Sequence, residues 1–178
     1  MSLCFMDPFV TLGIASTFDV DLAAVEKVHR DLSRALHPDR YVGASKSERA
    51  AALAKAVEVN EAWRVVRDPI RRAEALLALR GVAVSDAEGR AAAKADPDFL
   101  MDMLEQREAL SEARAGKDIE AVRRMAAEIE ERMRGVERAL AEGFAGGEAA
   151  TLAGKVGELK FYRRFLDEVS AIEDEWAA

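Results

Sequence analysis

Apolar residues recur at steps of three and four along most of the chain, the spacing that places them on one face of an α-helix. Two such runs occupy the first part, one from a cap at Asp21 or Asp19 to Leu36 and one beginning with a cap at Ser47. A loop of about ten residues joins them, which predicts an antiparallel helical hairpin. The predicted core positions are Val25, Val28, Leu32 and Ala35 or Leu36, then Ala52, Ala56, Val59, Trp63 and Val66.

Three of the four prolines predict helix starts. Asp7-Pro8, Asp68-Pro69 and Asp96-Pro97 each place a good N-cap residue before the residue best tolerated at the first helical position. We therefore expect short helices over residues 8–12, closed by Gly13, and 69–79, closed by Gly81. The fourth proline, Pro38, follows a periodic run and ends it.

Three longer helical patterns fill the last part of the chain. They cover residues 97–115, closed by Gly116, 118–142, closed by Gly143, and 148–176. Short glycine-containing connections make neighbouring helices antiparallel. Because few aromatic residues and no β-branched runs occur, we predict an all-α fold whose second half is a three-helix bundle.

Residues 82–95 carry no clear periodicity and are interpreted as a linker, which gives predicted domains at 1–81 and 96–178. The two parts differ in charge: Met1 to Arg80 holds 12 Lys and Arg against 11 Asp and Glu, net +1, and the rest holds 14 against 22, net −8. The total of −7 argues against a general nucleic-acid-binding surface. A single cysteine, Cys4, and the lack of a leader or an 18-residue apolar stretch predict a cytosolic protein without membrane insertion.

The tip of the predicted hairpin carries His37-Pro38-Asp39. Proline excludes its predecessor from the helical region, so the imidazole should leave the helix and be displayed in the loop. Taken alone, the tripeptide could also be an ordinary turn without a binding function. The preceding helix adds a basic strip opposite its apolar face, formed by Lys27, Arg30 and Arg34 and continued by Arg40 after the motif. Strip and tip together indicate a docking surface for an acidic partner.

The helix after the motif ends in "NEAWRVVRDP". Together with the basic helix and the His-Pro-Asp loop, this stretch makes residues 9–68 resemble the J-domain, the module that engages ATP-dependent chaperones of the DnaK and HscA type. The resemblance implies that the His-Pro-Asp loop and the basic helix dock on the chaperone and stimulate its ATP hydrolysis. The hydrolytic groups would then belong to the partner, and this chain would have no catalytic residue. The chaperone-binding residues implied are His37, Pro38, Asp39, Lys27, Arg30, Arg34 and Arg40.

A second stretch, "DPDFLMDMLEQREALSE", spreads its apolar side chains over more than half of the helix circumference. On pattern alone, burial of two faces in a bundle is favoured over exposure, since Met often fills core gaps. With "LKFYRRFLDEV" near the end, however, the stretch resembles the C-terminal domain of the HscB-type co-chaperones. That resemblance implies that the helix holds an iron–sulfur scaffold protein of the IscU type. The implied scaffold-binding residues are Leu100, Met101, Leu104, Glu105, Glu108 and Phe161.

The chain departs from the family pattern in two places. Some eukaryotic members carry a cysteine-rich N-terminal metal site, which a lone Cys4 cannot form, so the resemblance is to the bacterial form. Leu36 stands where an aromatic residue usually precedes the motif, a change that we expect to affect packing rather than docking. No cofactor is implied.

Other functions remain open on the sequence. A metal site from His29 and His37 does not match zinc spacing, and no nucleophile and base stand out as an enzyme's would. A J-domain protein whose second half dimerises, or binds unfolded clients, would use the same wide apolar surface.

Overall fold

The computed structural model describes residues 6–82, 96–147 and 149–177. Within those ranges the chain forms seven α-helices and one 3-10 helix and no β-strand, as the all-α prediction requires. The chain divides into two compact units, Met1–Leu79 and Arg80–Ala178. Of the predicted linker, only Val82 lies in the described part. None of the described helices has an apolar stretch that could cross a membrane.

The N-terminal unit consists of α1 (Pro8–Leu12), α2 (Leu22–Ala35), the 3-10 helix Pro38–Tyr41, α3 (Lys46–Arg67) and α4 (Pro69–Leu79). α2 and α3 pack as the predicted hairpin, and α1 and α4 pack against α3. Burial of apolar side chains between these helices is the main stabilising contribution. The buried core includes Phe9, Leu12, Phe18, Val25, Val59, Val66, Ile70, Leu76 and Leu77.

A ring-stacking contact and a hydrogen bond connect α2 with α3 in the middle of the hairpin. The ring of His29 stacks on that of Trp63 with centroids 5.4 Å apart, and its Nε2 is 2.9 Å from the Asn60 side-chain oxygen. Of the core positions predicted in α2, Val25 is buried, whereas Val28, Leu32 and Leu36 are half-buried. The contact compensates in part for a thin apolar interface, and it gives His29 a structural position away from His37.

Local hydrogen bonds explain where the helices start. Asp7, Asp68 and Asp96 each accept a hydrogen bond from the backbone amide two residues further on, so the three Asp-Pro starts are confirmed. The prediction that Ser47 caps α3 is wrong: the cap is Ser45, whose hydroxyl accepts from the Glu48 amide while the Glu48 carboxylate accepts from the Ser45 amide. This reciprocal capping box satisfies two otherwise unpaired backbone donors.

The C-terminal unit is a bundle of α5 (Pro97–Ala115), α6 (Ile119–Gly146) and α7 (Ala149–Ala177). The predicted end of α6 at Gly143 is wrong, because the helix continues to Gly146 and is closed by Gly147 with φ 90°. The core side chains lie on one face of each of the three helices. They include Met103, Leu110, Val122, Ile129, Val136, Leu140, Leu152, Val156, Leu159, Phe165, Val169 and Ile172.

Charged side chains cross between the bundle helices at its surface. Arg107 of α5 pairs with Glu168 of α7 at 3.3 Å, Arg123 of α6 pairs with Glu173 of α7 at 3.2 Å, and Arg132 pairs with Asp102. Exposed pairs of this kind contribute about 0 to 1 kcal/mol each. These ion pairs favour the observed alignment of the three helices, while the apolar core supplies most of the stability.

Candidate partner-binding sites

The tip of the hairpin is built by the interruption of α2. The helix ends at Ala35, and Leu36 takes the C-cap position with φ −95° and ψ 4°. His37 then adopts an extended conformation, with φ −63° and ψ 136°, because the following Pro38 excludes it from the helical region. The histidine therefore leaves the helix, as the sequence predicts, and caps a 3-10 helix where the sequence predicted only a loop.

His37 and Asp39 face each other across one turn of the tip. The Asp39 amide donates to Nδ1 of His37 at 3.3 Å, which assigns the ring proton of the neutral imidazole to Nε2. An Asp39 carboxylate oxygen lies 3.5 Å from the same Nδ1, and the side chains are 59% and 87% exposed. The tip thus offers an N–H donor and a carboxylate acceptor to a partner.

The basic strip lies on the exposed side of α2. Lys27, Arg30 and Arg34 are all exposed. Arg30 is 3.6 Å from Glu26 and Arg34 is 3.8 Å from Asp31, contacts between solvated groups that add little to stability. Within the described ranges, neither Lys27 nor Arg40 has an ion-pair partner. With Glu26 and Asp31 beside them, Lys27, Arg30 and Arg34 give the strip three positive charges against two negative ones, a net charge of +1.

The second site is the outer face of α5. Met103 and Leu110 point into the bundle, whereas Leu100, Met101 and Leu104 are 41%, 58% and 52% exposed. The interpretation of these three side chains as core, favoured on pattern alone, is therefore wrong. Glu105 and Glu108 are exposed on the same helix face, four residues after Met101 and Leu104 respectively. The face combines an apolar end with an acidic end.

Phe161, the predicted site residue on α7, contacts α5 at Phe99, one turn before the buried Met103. The Phe161 ring meets that of Phe99 edge to face, with centroids 5.7 Å apart, and the Arg164 guanidinium lies 6.0 Å from its centroid. Phe99 makes a similar contact with Tyr162, and burial, followed by the nearby Glu158 charge, raises the pKa of the Tyr162 phenol. Sequence reasoning missed the positioning by Phe99 and Arg164, because the contact with Phe99 joins residues far apart in the chain.

Neither site has the ligands of a metal centre. Across the residues that the structure describes, no three His, Cys, Asp or Glu side chains converge to hold an ion. His29 contacts Trp63 and Asn60 in the hairpin, and His37 contacts Asp39 at the tip. The tip is polar and flanked by basic side chains, and the outer face of α5 is apolar at one end and acidic at the other.

Comparisons with known proteins agree with this architecture. Residues 95–170 match the family model described as the HSCB C-terminal oligomerisation domain. The co-chaperone protein HscB homolog of Neisseria meningitidis serogroup C is 33% identical over 163 residues, covering 92% of this chain and 96% of that protein. The homolog of Aeromonas hydrophila is 33% identical over 170 residues, covering 95% and 97%.

Solved structures show the same fold. Chaperone HscB from Vibrio cholerae superposes with a TM-score of 0.83 at 29% identity, covering 96% of this chain and 99% of that one. The human co-chaperone protein HscB also gives a TM-score of 0.83, at 20% identity and with 94% and 82% covered. Each of the two HscB homologs aligns over nearly the full length of this chain and of its own chain. The chain therefore belongs to the HscB family of co-chaperones.

Proposed function

We propose that this protein is an adaptor with two binding ends. One end, the His-Pro-Asp tip and basic strip, docks on an HscA- or DnaK-type chaperone and stimulates its ATP hydrolysis. The other end, the outer face of α5 with Phe161, holds the iron–sulfur cluster scaffold protein and delivers it for cluster assembly and transfer. The observation that carries the proposal is the exposure of Leu100, Met101 and Leu104 in a member of the HscB family.

The docking end suits a role as activator rather than catalyst. His37 and Asp39 are held in a fixed turn and are largely solvent-exposed, so a partner can reach the Nε2 donor and the carboxylate. The nearby Arg and Lys side chains favour an acidic surface and speed its encounter. Bond cleavage would take place in the chaperone's nucleotide site, with this chain altering the partner's conformational equilibrium.

The scaffold-binding end suits a reversible grip. Leu100, Met101, Leu104 and Phe161 are already about half buried, so complete burial would release roughly half of the 1.5 to 3 kcal/mol that a fully exposed side chain gains, about 3 to 6 kcal/mol in total. Association costs an estimated 4 to 15 kcal/mol, so the two ranges overlap. Such a balance favours modest affinity, as delivery requires: the scaffold must be held until it meets the chaperone and then released.

Two variants, one at each end, test the two binding functions separately. His37→Gln is expected to remove ATPase stimulation and to leave scaffold binding unchanged. Leu100→Ser combined with Leu104→Ser is expected to weaken scaffold binding by at least about a hundredfold, or 2.7 kcal/mol, and to leave scaffold-free stimulation unchanged. Steady-state ATP hydrolysis and calorimetric titration with the scaffold protein supply the two readings.

Fold controls make the result interpretable. Because Leu100 and Leu104 are exposed, the double variant should keep its helical circular dichroism, whereas Leu110→Ala should lose about 2 to 5 kcal/mol of stability. An unfolded Leu100/Leu104 variant would show that these side chains are core. A species of twice 19.5 kDa in sedimentation that the double variant converts to monomer would assign the face to self-association instead.

A further inference from the structure

The first two turns of α5, residues 97–104, carry large apolar side chains on both their inner and their outer sides. On the inner side Met103 is buried and Phe99 is half-buried. The outer side carries the three exposed apolar side chains Leu100, Met101 and Leu104. A rotation of about a third of a turn about the helix axis would bring Leu100 and Leu104 to the inner side instead. Burial of apolar surface in these turns therefore does not by itself favour the observed rotation.

A charged contact with α6 opposes that alternative rotation. The Asp102 carboxylate accepts a hydrogen bond from the Arg132 guanidinium, and the two side chains are 39% and 38% exposed. The pair is less exposed than Arg114–Glu175 further along α5, so water and salt screen it less. Turning Leu104 inward would carry Asp102 to the outer side of α5 and break the pair.

Arg132 reaches α7 as well as α5. Burial raises the pKa of the Tyr162 phenol, and the Arg132 guanidinium acts against that rise by donating a hydrogen bond to the phenol oxygen. The Tyr162 ring in turn meets Phe99 edge to face, with centroids 5.7 Å apart. The inner side of α5 is thus fixed at two positions three residues apart, Phe99 and Asp102.

We propose that Arg132 is a positioning residue for the scaffold-binding end. Its pair with Asp102 holds α5 in the rotation that keeps the three outer apolar side chains in water, where the scaffold protein can reach them. The inference rests on the proposed scaffold-binding function and deepens it. It explains how a helix with apolar residues around most of its circumference presents one defined face.

Thiol labelling of the full chain measures this rotation without any partner. Cys4→Ser removes the single cysteine, and Leu104→Cys then supplies a reporter at a 52% exposed position. Arg132→Glu places two carboxylates opposite each other, so α5 should turn and labelling of the reporter should slow at least about twofold. Adding Asp102→Arg restores opposite charges in exchanged positions, and the labelling rate should return to its original value.

A merely structural role of the pair gives a different result. If the pair only stabilised the bundle, Arg132→Glu would loosen α5, and the Leu104→Cys thiol would be labelled at the same rate or faster. Either outcome, or a failure of Asp102→Arg to restore the rate, would overturn the proposal. Arg132→Gln removes the attraction without adding repulsion. It should slow labelling by a smaller factor, and it replaces Arg132→Glu if that variant loses its helical circular dichroism.

The matched control is the ion pair between Arg114 of α5 and Glu175 of α7. Glu175→Arg places like charges between two bundle helices, ten residues after the reporter along α5. The labelling rate of the Leu104→Cys thiol should then equal that of the unmodified pair. Equal slowing by Glu175→Arg and Arg132→Glu would show that the effect is not specific to Arg132.

Calorimetric titration with the scaffold protein, using chains that retain Leu104, connects the rotation to binding. Because only the observed rotation presents the site, Arg132→Glu should raise the dissociation constant by the factor by which labelling slows, and Asp102→Arg should reverse the rise. Slower labelling with unchanged affinity would contradict the positioning role. If the wild type does not bind the scaffold, the proposed function is wrong and the inference falls with it. If the wild type binds and labelling is unchanged, only the role of Arg132 is wrong.

Discussion

At the scale of single residues, reciprocal hydrogen bonds decide where α3 begins. Ser45 and Ser47 can both cap a helix, and periodicity alone does not separate them. Only Ser45 is followed three residues later by a carboxylate, Glu48, and the structure shows both bonds of the capping box. The signal was present in the sequence as Ser-x-x-Glu, and its use would have placed the helix start correctly.

Replacement of Ser45 tests this cap. Ser45→Ala should lower the free energy of unfolding by about 1 kcal/mol, because an amide at the helix start loses its acceptor. The hydrogen bonds from Ser45 also hold the pKa of the Glu48 carboxyl below its ordinary 4.5. A lowered pKa in the folded state stabilises α3 above the ordinary value, and this contribution is lost as the pH falls through the folded-state pKa. In the variant the Glu48 pKa should move up towards 4.5.

The matched control is Ser47→Ala, which should change the stability by less than about 0.5 kcal/mol. Chemical denaturation gives the stabilities, and an NMR titration of the Glu48 side chain gives its pKa. Equal losses of stability from the two serine variants, or an unmoved Glu48 titration in Ser45→Ala, would contradict the assigned cap.

At the scale of elements, contacts between helices decide what periodicity within one helix cannot. Gly143 looks like a helix end, yet α6 continues through it. A Cβ at this position would stand 2.5 Å from Cδ2 of the buried Leu152 on α7, so any larger residue would force that side chain to move. The distinction depends on a partner helix, which the local pattern around Gly143 does not contain.

Two glycines of α6 should therefore respond oppositely to the same change. Gly143→Ala should lower the free energy of unfolding by about 1 to 3 kcal/mol, because Leu152 must move within a packed core. Gly135→Ala places its Cβ no nearer than 3.9 Å to Arg138 and should raise stability by about 0.5 to 1 kcal/mol. Thermal unfolding of the two variants measures both, and stabilisation by Gly143→Ala would show that α7 does not approach as described.

The orientation of α5 shows the same limit of sequence patterns. Its apolar residues surround so much of the helix that periodicity predicts no unique inner face. The bundle makes the choice by burying Met103 and Leu110 and leaving Leu104 in water. The positions of α1, α4 and α5 followed from their Asp-Pro starts, whereas the exposed surface of α5 depended on packing with α6 and α7.

At the scale of the whole molecule, the chain separates its surfaces by chemistry. The basic tip belongs to the N-terminal unit, and the apolar and acidic face belongs to the C-terminal unit. The all-α class and the hairpin could be predicted from periodicity, proline placement and glycine stops. The assembly of Phe99, Phe161 and Arg164 could not, because ring contacts between α5 and α7 depend on the three-dimensional packing.

An adaptor with two ends should make its chaperone respond to both at once. The most direct measurement is steady-state ATP hydrolysis by an HscA-type chaperone, with this protein and the iron–sulfur scaffold protein added singly and together. The two together should stimulate hydrolysis by more than the sum of their separate effects, and Leu100→Ser with Leu104→Ser should reduce the combination to that sum. Stimulation by this protein that the scaffold leaves unchanged would contradict delivery of that client.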